Sequence, residues 1–529
     1  MNSKVFLNIL LSLLMSCHIY AINVNIDTTK IHSVVNEKFI NVAIDSGIVK
    51  NHWEKFRPNS TRVKTLAAGL APSYMRVGGT GADFLIFVND KLSTSKTSYK
   101  SLKNEDSTRS QQKLKIGNAA ANVMEMEIQR RRKRDVGYYD EPFTNFTMTA
   151  SFYDQIHKFV SSVGWDLIFD LNSLLRKPSG AWDATNAIEL INYTVQSGYK
   201  MGGWELGNEP DEYTGVVIKH KLVPPEQLAK DFARVKKLAR SHPSFKDCQI
   251  IGPSLASMTD YWRKGFFYSF LSSGGGEAVT AATFHQYYED GAVAKLEDFY
   301  NPDILNILYD EIQTGVNLTR AAGSRAKVWL GETSSAWRGG APGLSDRYVA
   351  GFMWLDKLGM SARDGIDALI RQTFYGGHYS LLDHETCDPN PDYWLTLLYK
   401  LLVGNKVLRV TSPDSRGKVR AYAHCTETRK SGYSAGSLTV YVMNLDQSPV
   451  SIEFPKFSSS TKFDVYNMLG KENSILSHYV DLNGVTLQLV DDKTLPDLLR
   501  PVTTTSTVSI PAMSYSFIVI PDAQLPVCM

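Results

Sequence analysis

The sequence predicts an α/β fold, a (β/α)8 TIM barrel followed by a C-terminal antiparallel β-sandwich domain. Three observations predict it. Apolar runs alternate with longer amphipathic stretches from about Phe39 to Tyr375, and the polar residues of those runs gather at their C-terminal ends. After about Trp394 the texture changes to short alternating runs parted by Gly, Pro, Ser and Asn. Continuous apolar strands separated by helices imply a parallel sheet covered on its outer face, and eight such units close a barrel. The 529 residues are too many for one ordinary domain.

Residues 1–21 read as a signal peptide. Lys4 is its only charge, Val5–Met15 its apolar centre, and Ala21 a small residue before a cleavage point; a short amphipathic helix is the plain alternative. No later stretch reaches about 18 uninterrupted apolar residues, the length that spans a bilayer. Sequons at Asn59, Asn145, Asn192 and Asn317 fit a glycoprotein that enters the secretory pathway. Loss of Cys17 with the leader leaves Cys248, Cys387, Cys425 and Cys528, whose spacing does not settle their pairing. With 43% hydrophobic and 21% charged residues the chain is neither disordered nor collagen-like, and a net charge of +3 argues against nucleic acid as a partner.

Residues 22–38 supply a first strand, Ile22–Ile31, to the β-sandwich. Residues 39–92 form the first part of the barrel, with strands Phe39–Asp45 and Ser73–Gly79. Residues 135–393 form the remainder, with strands Asp166–Asn172, Gly203–Glu209, Gln249–Ser254, Ala282–Tyr288, Lys327–Glu332 and Ala368–Tyr375, and helices such as Pro225–His242 and Pro302–Ala322 between them. Asp45, Asn172, Asn208, Glu209, His285, Tyr287, Glu332 and Gln372 then fall at or near strand C-termini, the end that carries chemistry in such barrels. Residues 394–529 form the sandwich, with runs Val419–Cys425, Leu438–Met443, Phe463–Tyr466, Val485–Val490 and Tyr515–Ile520.

Residues 93–134 fit neither domain. The segment is polar, has Tyr99 as its single aromatic residue, and ends in Arg130-Arg131-Arg132-Lys133-Arg134. A structureless insert of this length is out of place in a compact domain unless it is a lid or a removable piece. The basic run is read as a solvated loop, as a polyanion-binding patch, or, given the leader, as a processing site at Arg134 for a protease that cuts after paired basic residues. Lys96–Arg134 holds 11 basic and four acidic residues; excising it together with Lys4 would turn +3 into −5.

Hydrolysis of a glycosidic bond needs an acid for the leaving oxygen and a carboxylate across the sugar ring. Trp204-Glu205-Leu206-Gly207-Asn208-Glu209-Pro210 ends the fourth strand and Trp329-Leu330-Gly331-Glu332-Thr333 the seventh, so two strand ends each present a carboxylate. The bland reading makes each an ordinary helix-start carboxylate. Glu205 sits within its strand and is expected to pair with a barrel cation, while Glu189, Glu212 and Glu226 are expected to be solvated.

These strings resemble the heparanases, endo-β-glucuronidases of glycoside hydrolase family 79, across nearly the whole mature chain. Arg76-Val77-Gly78-Gly79-Thr80, Trp204–Pro210, His285-Gln286-Tyr287-Tyr288, Val328–Ala336, Gly351–Lys357 and Pro391-Asp392-Tyr393-Trp394 carry the resemblance. It implies a retaining mechanism with Glu209 as acid/base and Glu332 as nucleophile, without metal or cofactor. It implies excision of the linker, leaving small and large chains associated as a heterodimer. Asn208 would hold the sugar 2-hydroxyl, and Tyr287 would hydrogen-bond the nucleophile unless it is a plain barrel aromatic. Asp45, Thr80, His285, Gln372 and Tyr379, with backbone at Gly339, Gly340 and Gly377, would contact substrate. Cys425 and Cys528 would form a disulfide; Cys248 and Cys387 have no implied partner.

The chain also departs from the pattern. Glu141-Pro142-Phe143-Thr144 replaces a lysine cluster after the linker, Arg263-Lys264 is what remains of a basic stretch after the fifth strand, and Ala292 replaces a cation; these positions would grip sulfates. Lys230, Arg234 and Lys237 share one helix face that compensates for these or is simply solvated. The leading expectation is a retaining endo-β-glucuronidase acting on heparan sulfate proteoglycan, activated by a processing protease. The rivals are an exo-acting β-glucuronidase on short or less sulfated chains and a non-catalytic heparan sulfate-binding relative.

Overall fold

The computed structural model describes residues 20–53, 55–91, 143–215, 218, 220, 222–411, 414, 416–505 and 507–529. The leader and the linker with Arg134 lie outside the described residues, apart from the last two residues of the leader. The chain divides into two units. One comprises Ser33–Leu398 with Leu487–Pro496, the other the residues up to His32 with Tyr399–Thr486 and Asp497–Met529.

The first unit is a closed barrel of eight parallel strands in sequence order. They are β1 (Ile40–Asp45), β2 (Ser73–Gly78), β3 (Trp165–Leu171), β4 (Met201–Leu206), β5 (Gln249–Leu255), β6 (Ala281–Gln286), β7 (Lys327–Thr333) and β8 (Ile366–Arg371). Residues of these strands are buried on both faces, which is why they read as continuous apolar runs rather than alternating ones. Ala43, Ile168, Ile251, Ala281, Trp329, Ala368 and Ile370 pack together as one cluster of the barrel. Strands β4 and β6 end earlier than the sequence suggests, at Leu206 and Gln286, so Asn208, Glu209 and Tyr287 stand on the loops beyond them.

Register along β6 and β7 is regular from Ala281–Lys327 to Phe284–Leu330, then shifts so that His285 faces Glu332 and Gln286 faces Thr333. The β7–β8 pairing shifts in the same place, between Leu330 and Thr333. Such an irregularity inserts an extra residue and re-aims the side chains after it.

The stretches flanking the linker are joined to each other: Leu85–Val88 pairs in parallel with Phe146–Thr149. Beyond that pair, the Asp90 carboxylate accepts from the Ser151 hydroxyl at 2.9 Å, and Lys91 pairs with Asp154.

The second unit holds two main sheets and a two-stranded antiparallel pair, Asn25–Ile26 with Val410–Thr411. The larger runs, in spatial order, through Val485–Thr486, Val480–Leu482, Phe463–Gly470, Ser514–Ile520, Leu438–Asn444, Val419–Thr426 and Val403–Leu408. The smaller joins Tyr20–Asn23, Val450–Glu453 and Val508–Ile510, its first pair parallel and its second antiparallel. Ile22, Ile452 and Ile510 of the small sheet share one buried cluster with Val440, Val465 and Ile518 of the large one. A disulfide joins Cys425 to Cys528, while Cys248 and Cys387 are buried free thiols. The expected strand Val485–Val490 stops at Thr486. Leu487–Pro496 belongs to the barrel unit instead, where Asp492 accepts from Arg62 Nε at 2.8 Å and, through its carbonyl, from the Thr65 hydroxyl at 2.9 Å. Among the described residues no helix is long and apolar enough to cross a membrane.

Candidate active site

Two charges of opposite sign lie inside otherwise apolar strands: Arg76 in β2 and Glu205 in β4, both fully buried. A lone buried charge is prohibitively costly, so each needs partners. Arg76 donates from Nε to Glu205 Oε2 at 2.6 Å, from one terminal nitrogen to Glu332 Oε2 at 2.8 Å, and from the other to Asn208 Oδ1 at 2.9 Å. Asp170 of β3 stands 3.8 Å away. Burial, with Glu205 beside it, pushes the Asp170 carboxyl well above its ordinary range. One guanidinium thus ties the ends of β2, β4 and β7 together.

Glu332 is held from both sides. Its Oε1 accepts the Tyr287 hydroxyl at 2.7 Å while Oε2 takes Arg76. Burial pushes its carboxyl up, but His285, Arg76 and the Tyr287 hydroxyl outweigh this and hold it below the usual carboxylate range. Burial, with Glu332 beside it, pushes the Tyr287 phenol well up, so it stays a donor. His285 Nδ1 lies 2.8 Å from Glu209 Oε1 and 4.0 Å from Glu332 Oε1. Burial opposes charge on the imidazole, yet the two carboxylates raise its pKa.

Glu209 has left-handed backbone, φ 50° and ψ 57°, rare for a residue with a side chain and costly enough to require support. The support is its N–H, which donates to the Ser254 carbonyl at 2.9 Å, and its carbonyl, which accepts from Glu212 N at 2.8 Å as Pro210 opens a 3-10 turn. One ligating atom from each of Glu209, His285 and Glu332 lies within 4.8 Å of the others. The same three atoms suit a cation, but Arg76 already sets a positive charge against Glu332, and His285 and Glu209 already bond each other. The arrangement brings two carboxyl groups close together with an imidazole between them.

The other expected contacts divide. Asn208 is positioned by Arg76 and by its own N–H, which donates to Asp83 Oδ2 at 2.9 Å. Tyr379 stacks over Tyr287 with ring centroids 6.3 Å apart. The loop after β7 is bound to the loop after β8 by His378 N donating to the Gly339 carbonyl at 2.6 Å. Gly340 has φ +88°, and a side chain there would come within 2.8 Å of Tyr379 N, so only glycine fits. Gly377, with φ +75°, lies on the opposite loop. Gln372 is buried at the end of β8 with Oε1 unpartnered among the described residues, and His285 Nε2 is likewise unpartnered. Asp45 is exposed; its carboxylate accepts from Gly47 N at 2.7 Å. Thr80 is half-buried at the start of a 3-10 turn. Asn172 faces elsewhere: it bonds the Leu85 carbonyl and Leu174 N, holding a loop.

Two expectations need correction. Glu212 is not solvated, and Arg263 is not free to grip an anion. Arg263 is buried and donates to Asp211 at 2.7 Å, to Asp260 at 2.6 Å and to Glu212. Its charge is spent on the loop that follows Glu209. Asp83 and Tyr213 had no role in the sequence reading. The Asp83 carboxyl, pushed up to about 7 by burial, collects Asn208 N, Ser173 N and the Tyr213 hydroxyl, so it orders the β3 and β4 loops. An acidic residue just after the Gly-Gly turn of β2 was the available signal.

Similarity to known proteins agrees with this geometry. The model for "Glycosyl hydrolase family 79, N-terminal domain" matches residues 115–359. The chain is 39% identical to heparanase of Mus musculus, over 94% of this chain and 92% of that one. It is 33% identical to a hyaluronoglucuronidase of Hirudo nipponia, over 96% and 99%. It is 32% identical to inactive heparanase-2 of Homo sapiens, over 93% and 87%.

Proposed function

This chain belongs to glycosyl hydrolase family 79 and is a glycoside hydrolase; from that premise we propose that it is a retaining endo-β-glucuronidase of heparan sulfate in the extracellular matrix. The observation that carries the proposal is the approach of Glu332, held ionised by Arg76 and Tyr287, to Glu209, bonded to His285, with one oxygen of each within 4.8 Å of the other; retaining enzymes hold their two carboxyl groups about 5–5.5 Å apart. Glu332 attacks the anomeric carbon while Glu209 protonates the departing glycosidic oxygen, giving a glycosyl ester on Glu332. Glu209, now a base, then takes a proton from water, which releases the ester with net retention. In this reading Asn208 holds the sugar 2-hydroxyl, and the backbone of the Gly339–Gly340 and Gly377–Tyr379 loops holds its carboxylate.

The secretory route rests on the leader and on four sequon asparagines, all exposed. Removal of the linker leaves the small and large chains joined by the barrel ladder of β2 with β3 and by Leu85–Val88 on Phe146–Thr149.

One observation favours a second reading, action on short or less sulfated chains: the buried ion pairs of Arg263 take away one of the cations expected to meet sulfate. The Hirudo relative, by name, acts on a hyaluronan-type glucuronide. Digestion of defined heparan sulfate oligosaccharides, with product masses, tests the proposal. Internal cuts support endo action, single terminal sugars the exo reading, and binding without products a non-catalytic role.

A further inference from the structure

The β7 ladder is irregular on both sides at Gly331–Glu332, shifting register just before Glu332 and Thr333 pair with His285 and Gln286. A side chain from a neighbouring helix adds a second hold on the strand ends there. Lys357 supplies it. It lies in the helix Ala350–Asp364, whose residues Ala350 to Ala362 are all buried, and it is itself fully buried. Its Nζ reaches Gln286 Oε1 at 2.6 Å, Thr333 Oγ1 at 2.6 Å and the Ser334 carbonyl at 2.7 Å. The Thr333 hydroxyl spends its hydrogen on the Gln286 carbonyl at 2.6 Å, so it accepts from Lys357. Three short contacts to oxygens call for three N–H donors, while burial, then Arg371, holds the Lys357 pKa well below the ordinary lysine range against the pull of Glu311 and Asp356. Glu311 Oε1 lies 3.4 Å from Gln286 Nε2, and Glu311 Oε2 accepts from Met258 N at 3.0 Å.

We propose that Lys357 is a positioning residue that pins the ends of β6 and β7 beyond the irregular register, so that Glu332, His285 and Tyr287 keep their mutual geometry. Thr333 and Ser334 directly follow the carboxylate it serves, and Gln286 lies between His285 and Tyr287. Lys357 touches no reacting atom.

The inference rests on Glu332 being the nucleophile, and the experiment separates the two. A 2-deoxy-2-fluoro-β-glucuronyl fluoride should be attacked by Glu332, forming the ester as the C–F bond breaks and fluoride leaves with its electron pair. Rate and saturation constant are measured on wild type, Lys357→Met and Thr333→Val, with the labelled peptide identified by mass. The expected result is a wild-type label on Glu332. Lys357→Met should label at least ten-fold more slowly, and Thr333→Val should lie between, with saturation constants little changed. Lowered melting temperature with an unchanged labelling rate would show a merely structural role and overturn the inference. If Lys357→Met does not fold, an unimpaired rate in Thr333→Val overturns it. A wild-type label on another residue overturns the Glu332 assignment instead.

Discussion

Glu332 is largely buried yet held ionised, and the reason is local: two donors reach its two oxygens and an imidazole stands nearby. Replacing either proposed catalytic carboxylate should therefore be costly to turnover and cheap to the fold. Glu332→Gln and Glu209→Gln should each lower kcat by roughly 10²–10⁴-fold or more with little change in melting temperature; near-wild-type turnover would refute the assignment. Tyr287→Phe removes one hydrogen bond to a charged group, worth about 1.5–3 kcal/mol, and should lower kcat by roughly ten- to a hundred-fold. Arg76→Met strips the guanidinium from Asp170, Glu205 and Glu332. Denaturant unfolding should show a loss of about 3–5 kcal/mol, the scale of breaking a buried ion pair.

The pH behaviour follows from two shifts of opposite sign. Glu332 has a lowered pKa in the fold, so its stabilising interactions are complete above the unfolded value near 4.5 and fade as pH falls through the lower folded value. His285 has a raised one, so its contribution is complete below the unfolded value near 6.5 and fades as pH rises through the higher folded value. Activity should persist into the acid range, with the alkaline limb of kcat/KM set in part by His285. His285→Gln should move that limb, as a pH–rate series would show.

At the scale of elements, the eight strands were legible because burial on both faces leaves an uninterrupted apolar run, and the carboxylates because they close such runs. The internal charge pair was legible only in outline. Glu205 announced a partner, but that Arg76 was the partner, and that it also bonds Glu332 and Asn208, depends on barrel closure bringing β2, β4 and β7 together. Lys357 was illegible for a different reason: it sits on a helix, where a cation ordinarily reads as solvated; Arg263 was read as an anion contact because the carboxylates that surround it meet it only in the fold. Leu487–Pro496 was misread because a short apolar run carries no mark of which unit it packs with. Within the β unit, Cys425 and Cys528 are 103 residues apart in sequence. Removing that bridge as Cys425→Ala/Cys528→Ala should destabilise the unit by roughly 4–5 kcal/mol in the chain-entropy view, measurable as a lowered melting temperature.

Across the whole molecule, removal of the linker together with the leader would strip net positive charge and leave a chain of −5. A net-acidic enzyme for an anionic polymer must recruit it through local cations, and Arg263 is not among those available. Mass spectrometry of the secreted protein should find a chain beginning at or near Asp135, still associated with the small chain; a fully active single chain would show that excision is not required. Retention is the claim on which the rest depends, because it needs both glutamates, their spacing and an ionised Glu332 together. Proton NMR during the first turnovers of a defined glucuronide oligosaccharide reads it directly. The newly formed reducing end should appear first as the β-anomer and equilibrate later; first appearance of the α-anomer would contradict retention.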